Sequence, residues 1–143
     1  MIVLLDANVL ASMALSPISG AIARLLLCWI EGTFTVAVSE HVMGELQRTI
    51  RNPWFSSRAS TEDIQSFVSF VRRHAVFYPV TTVVTGVATH PEDDLILAAA
   101  VSAGAAYLVT GDRRFRARVP NFQGVRLVSP SEFVSILDDT PAP

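Results

Sequence analysis

A chain of 143 residues, half of them hydrophobic, can bury one core of its own, and its single cysteine, Cys28, excludes an intramolecular disulfide. A formal net charge of −2 excludes a protein that holds nucleic acid through a general positive field, so any such contact must be local or metal-mediated. All eleven basic residues are arginine, and without lysine neither a phosphate-binding Gly-x-x-x-x-Gly-Lys loop nor the site of a receiver domain or haloacid-dehalogenase-type phosphotransferase can be built.

Along the chain, apolar and β-branched runs alternate with helical patterns. Ile2–Leu5 reads as a buried strand, with Asp6 and Asn8 at its carboxyl end on the turn into a first helix over 18–31. That helix carries Cys28 as a core residue. Its apolar stretch is broken by Arg24 and falls short of the ~20 residues of a membrane span, and the first residues lack a basic leader, so a soluble cytoplasmic protein is expected. Thr33–Val38 is the second strand. Ser39 caps a helix over 40–51 in which Glu45 stands beside Val42, Leu46 and Ile50 and leans toward the buried side. A helix over 61–73, capped by Ser60 or Thr61, leads to a fifth candidate strand at Val76–Val80.

Pro91 opens a helix over 92–103, closed by Gly104. In it Asp94 shares the apolar stripe of Ala98 and Val101, which points it inward and makes it the expected ligand, with Asp93 as second choice. Ala106–Val109 is a strand that places Thr110 and Asp112 at its carboxyl end; Arg113, Arg114, Arg116 and Arg118, interleaved with Phe115, follow as a basic strip. Val125–Val128 is a strand, Ser131 caps a helix over 131–137, and 138–143 read as a flexible tail, leaving 1–137 as one domain. His41 and His74 read as helix-surface residues and His90 as a loop residue.

Apolar strands alternating with helices define an α/β fold with a parallel sheet covered on both faces. In such a sheet the ligand site lies beyond the carboxyl ends of the strands, where strand order reverses. Asp6, Glu45, Asp94 and Asp112 all fall there. Each alone is ordinary cap or turn chemistry, but together they crowd charges that repel one another and call for a cation. The candidate donors are oxygens, with no Cys or His pair at ligand spacing, which favours Mg²⁺ or Mn²⁺ over zinc.

Four segments carry a family resemblance. Val3-Leu4-Leu5-Asp6-Ala7-Asn8-Val9-Leu10, Ser39-Glu40-His41-Val42-Met43-Gly44-Glu45-Leu46, Asp93-Asp94-Leu95-Ile96-Leu97-Ala98-Ala99-Ala100 and Leu108-Val109-Thr110-Gly111-Asp112 resemble, in order, the four acidic motifs of PIN domains. The match spans nearly the whole chain and looks closest to the bacterial toxin branch of toxin–antitoxin pairs, which includes VapC-like ribonucleases.

The resemblance implies a three-layer α/β/α fold with about five parallel strands and a Mg²⁺- or Mn²⁺-dependent endoribonuclease that hydrolyses RNA phosphodiester bonds. It also implies a cognate antitoxin and a homodimer. Asp6, Glu45, Asp94 and Asp112 fall on the family's acidic positions, and Asn8 and Thr110 on its polar helpers. Relatives often carry a further acid two residues after the Asp112 position, where this chain has Arg114. Arg113, Arg114 and Arg116 are the candidates for gripping the RNA backbone. Two rivals share the fold: an inactive RNA- or partner-binding module, and a structure-specific DNA nuclease, which usually adds arches and clamps for which this chain has no room.

Overall fold

The computed structural model describes residues 1–140. In chain order its elements are β1 (Ile2–Leu5), α1 (Ala7–Ala14), α2 (Gly20–Ile30), β2 (Thr35–Val38), α3 (Glu40–Ile50), α4 (Pro53–Ser56), α5 (Thr61–His74) and β3 (Val76–Phe77). They continue as α6 (Pro91–Ser102), β4 (Tyr107–Val109), α7 (Arg113–Arg118), β5 (Asn121–Phe122), β6 (Val125–Val128) and α8 (Pro130–Asp139).

The strands form one sheet in the order β3-β2-β1-β4-β6-β5. The first five of these run parallel, as the apolar strand sequences lead one to expect, and β5 adds an antiparallel edge. Val3, Leu4 and Leu5 are all buried although successive strand residues point to opposite faces, so helices must cover the sheet on both sides. α1 packs on α3 and α5, α2 packs on α8, and α6 lies against β1. Cys28 is a free thiol buried in this core. No described helix is long and apolar enough to cross a membrane.

Several elements differ from expectation. A helix, α1, begins directly at Ala7, where only a turn was expected. Ala7, Val9, Leu10, Ala11, Met13 and Ala14 are all buried, so only the narrow edge of Asn8 and Ser12 is left to betray the period of this helix. β3 stops at Phe77 because Pro79 has no N–H for the ladder. The β5–β6 hairpin turns at Gln123 and Gly124, both at positive φ (46° and 87°), the backbone that a two-residue type I′ turn requires.

The last helix is capped by Ser129 rather than Ser131. Pro130 takes its first position, and Ser129 and Glu132 form a reciprocal capping box. It runs through Asp139, two residues into the expected tail, and Asp138 pairs with Arg24 at 3.1 Å. Residues 141–143 of that tail lie outside the described residues.

Candidate metal centre

β1 turns to β2 on one side and is flanked by β4 on the other, so the switch in strand order falls between β1 and β4. Asp6 leaves the end of β1, where its N–H donates to the Val109 carbonyl at 2.9 Å, and becomes the N-cap of α1. Its Oδ1 accepts from the Ala7 N–H at 2.7 Å and its Oδ2 from the Thr110 hydroxyl at 2.7 Å. Thr110 is fully buried at the end of β4, and its Oγ1 accepts in turn from the Asp112 N–H at 3.1 Å. Asp112 caps α7, with Oδ1 accepting from the Phe115 N–H at 3.1 Å, and faces solvent. One threonine hydroxyl thus fixes the spacing of the two aspartates.

Burial pushes the Asp6 carboxyl above its usual range; the hydrogen bonds from Thr110 and Ala7 pull the other way, and the charge of Asp112 adds to the rise.

The two acids at the start of α6 have different surroundings. Asp94 is only 5% exposed, as its place on the apolar stripe implies. Yet its oxygens are engaged by the loop before the helix. Oδ2 accepts from the Gly86 N–H at 3.0 Å, and Oδ1 accepts from Val87 at 3.3 Å and Ala88 at 2.7 Å. A buried carboxylate met by three peptide N–H groups does not call for a cation. The half-buried Asp93 is the one that senses the other acids. Its pKa is pushed up to about 6, first by burial, then by the charges of Asp6 and Asp112, with His90 opposing and Glu45 adding. Electrostatically it is therefore Asp93, rather than Asp94, that is coupled to Asp6, Glu45 and Asp112.

Glu45 projects from the second turn of α3 and is half-buried, its side chain 23% exposed. Its carboxyl is raised chiefly by burial, then by contact with the Glu92 carboxyl, with His41 opposing and Asp6 contributing. His41, expected on the surface, is turned inward. Its Nε2 lies 3.6 Å from Glu45 Oε1 and 3.3 Å from Glu92 Oε2. Arg48 approaches the same Glu45 oxygen at 3.6 Å. The sequence signal for this group was the i, i+4 spacing of His41 and Glu45, one face of one helix; Glu92 arrives from α6 and could not be foreseen.

Asn8 stands exposed in the first turn of α1. The arginine strip divides. Arg116 is committed to the fold, donating from Nη1 to the Thr110 carbonyl at 2.7 Å and lying 3.9 Å from Glu132. Arg118 donates to the Val87 carbonyl at 3.3 Å. Arg113 and Arg114 are exposed beside Asp112. Arg113, Arg116 and Arg126 also line an open groove of about 650 Å³.

Asp6, Glu45, Asp93 and Asp112 come from four elements, and the charges of neighbouring acids help to raise the carboxyls of Asp6, Glu45 and Asp93, the behaviour of a cluster suited to a hard divalent cation with oxygen ligands. Fold and site together define an α/β domain with an acidic centre at its topological switch point. A family model described as the PIN domain matches residues 2–114, and the chain belongs to that family.

Two solved structures share the fold. VapBC2 from Rickettsia felis, bound to a DNA fragment from their promoter, is similar with TM-score 0.60 at 20% identity, covering 90% of this chain and 98% of that one. PAE2754 from Pyrobaculum aerophilum has TM-score 0.65 at 16% identity, covering 96% and 90%. No curated protein matches the sequence.

Proposed function

We propose that this PIN-domain protein is a metal-dependent endoribonuclease acting in the cytoplasm as the toxin of a type II toxin–antitoxin pair, and that it works as a homodimer. The observation that carries the nuclease reading is that Asp93, beside the switch point of the sheet, feels the charges of Asp6, Glu45 and Asp112, which come from three other elements. The antitoxin partner is inferred from the likeness to VapBC2, a paired complex on a fragment of its own promoter.

In this reading the four carboxylates hold one or two Mg²⁺ or Mn²⁺ ions. When bound, such an ion acidifies a water for in-line attack and neutralises charge on the phosphate. The protein supplies the rest. Thr110 holds Asp6 and Asp112 in register, and Asp94 anchors residues 86–88 to the start of α6 so that Asp93 faces the cluster. The exposed Asn8 amide orients a water or a phosphate oxygen, and Arg113 and Arg114 attract the backbone at the rim of an otherwise acidic site.

The test is cleavage of labelled RNA and DNA pools of equal length by the wild type and by Asp6→Ala, with Mg²⁺, with Mn²⁺ and with EDTA. The expected result is metal-dependent cleavage of RNA that Asp6→Ala abolishes. Preferential cutting of DNA would reassign the substrate. Binding without cleavage by either protein in every condition would make the domain a binding module.

A further inference from the structure

We infer that His41, Glu45 and Glu92 form a second cation position that takes an imidazole-binding transition ion, Zn²⁺ foremost, in preference to Mg²⁺. The inference deepens the metal-dependent reading above, with which it shares Glu45.

His41 and Glu45 lie one turn apart on α3, and Glu92 comes from the first turn of α6. One ligand atom from each lies within 4.8 Å of the other two. Nε2 of His41 is shielded from solvent, yet it has no hydrogen-bond partner among the described residues, although Glu92 Oε2 is 3.3 Å away and Glu45 Oε1 3.6 Å away. A buried polar atom left without a partner is uncommon and costs free energy. An Nε2–H, on a protonated or a neutral imidazole, would align with one of these oxygens, and the Nδ1–H tautomer would set a lone pair against two carboxylates. An ion between the three groups relieves both conflicts.

The spacing fits. Donors held about 2.1 Å from a tetrahedral ion are about 3.4 Å apart, close to the two nitrogen–oxygen separations here. The chemistry fits too, because an imidazole nitrogen suits Zn²⁺, whereas Mg²⁺ keeps to oxygen. Arg48 is the other cation at this group, but its side chain is 65% exposed and it reaches only Glu45, leaving the pair of carboxylates with excess negative charge. The acidic centre and the His41 position therefore sort ions by donor type.

The test titrates metal-free protein with Co²⁺, a spectroscopic stand-in for Zn²⁺, and with Mg²⁺, by visible absorption and calorimetry. The proteins are the wild type, His41→Gln, Glu92→Gln and Asp6→Asn, each checked for folding by circular dichroism. Glu92 is 63% exposed, so its variant keeps the inference testable should His41→Gln fail to fold. The expected result is a Co²⁺ affinity reduced about tenfold or more in His41→Gln and Glu92→Gln, with the nitrogen-ligated absorption lost in His41→Gln and Mg²⁺ affinity changed less than about twofold. Unchanged Co²⁺ affinity and spectrum in both variants would overturn the inference. If those variants lose Co²⁺ while Asp6→Asn leaves Mg²⁺ binding intact, the second position stands and the acidic-centre reading fails on its own.

Discussion

Asp94→Asn exchanges one oxygen for an amide nitrogen of nearly the same size, so it tests what the carboxylate does without opening a cavity. The retained oxygen can keep the Val87 and Ala88 N–H groups, but the new amide meets the Gly86 N–H donor to donor. A hydrogen bond to a charged acceptor contributes about 1.5–3 kcal/mol, and a buried donor left unpaired costs about 1–3 kcal/mol. Loss of negative charge in the first turn of α6 adds about 0.3–1 kcal/mol.

These contributions overlap and the Gly86 bond is only partly buried, so the expected loss is about 3 kcal/mol, a large share of the ~5–15 kcal/mol typical of a domain. In a chain of this size that lowers Tm by roughly 10 °C. Urea and thermal denaturation of metal-free protein measure it, and amide exchange at 86–88 should quicken. Asp93→Asn is the counterpart: it leaves metal-free stability unchanged or raised, because burial and neighbouring acids disfavour its charge, while metal affinity and cleavage fall. Should Asp94→Asn melt within ~2 °C of wild type and yet lose metal-dependent cleavage, the assignment of the two acids is reversed.

Three further outcomes are expected. Because the Asp93 carboxyl is pushed up to about 6 in the fold from an ordinary value of 3.8, the native state holds more protons than the unfolded chain between those values. Its contribution to metal-free stability therefore falls as pH rises through that window, and urea titrations should show a shallower fall in Asp93→Asn or with saturating Mg²⁺. A slope identical in wild type and variant refutes this. Thr110→Val strips a partner from Asp6 and from the Asp112 N–H, so metal affinity should drop ~10–100-fold by calorimetry, with Thr110→Ser restoring most of it. Arg114→Glu should weaken RNA binding at low salt with little effect at high salt, and unchanged low-salt affinity would remove Arg114 from the RNA-contacting surface.

The architecture was legible where periodicity was clean. Val3, Leu4 and Leu5, and likewise Leu108 and Val109, are apolar because helices cover both faces, and a parallel sheet follows from that alone. What escaped was set by contacts the chain order hides. α1 lies under α3 and α5, so its Asn8 is the one exposed residue in an otherwise buried first turn, and a helix buried nearly all round has no stripe to read. Gln123-Gly124 is a two-residue turn signal, but β5 beside it is only Asn121–Phe122, too short to show alternation.

The site teaches a narrower lesson about adjacent acids. Consecutive helix residues point about 100° apart, so one of Asp93 and Asp94 must face the core and the other the rim. The inward one was read as the ligand on the ground that a buried charge needs a cation. Peptide N–H groups serve the same need, and a loop held by Gly86 at φ 68° supplies three of them. In the proposed reading the centre draws its ligands from carboxylates that sense one another's charge, and burial alone does not pick them out, since Asp6 and Asp94 are both 5% exposed. Asp93, Glu45 and Asp112 keep contact with solvent, and Asp6, as buried as Asp94, takes only two hydrogen bonds and senses the charge of Asp112, whereas the two oxygens of Asp94 take three N–H groups from its own loop. In that reading Asp94 belongs to the scaffold that aims its neighbour, and the company of other acids, more than burial itself, marks the position proposed to bind.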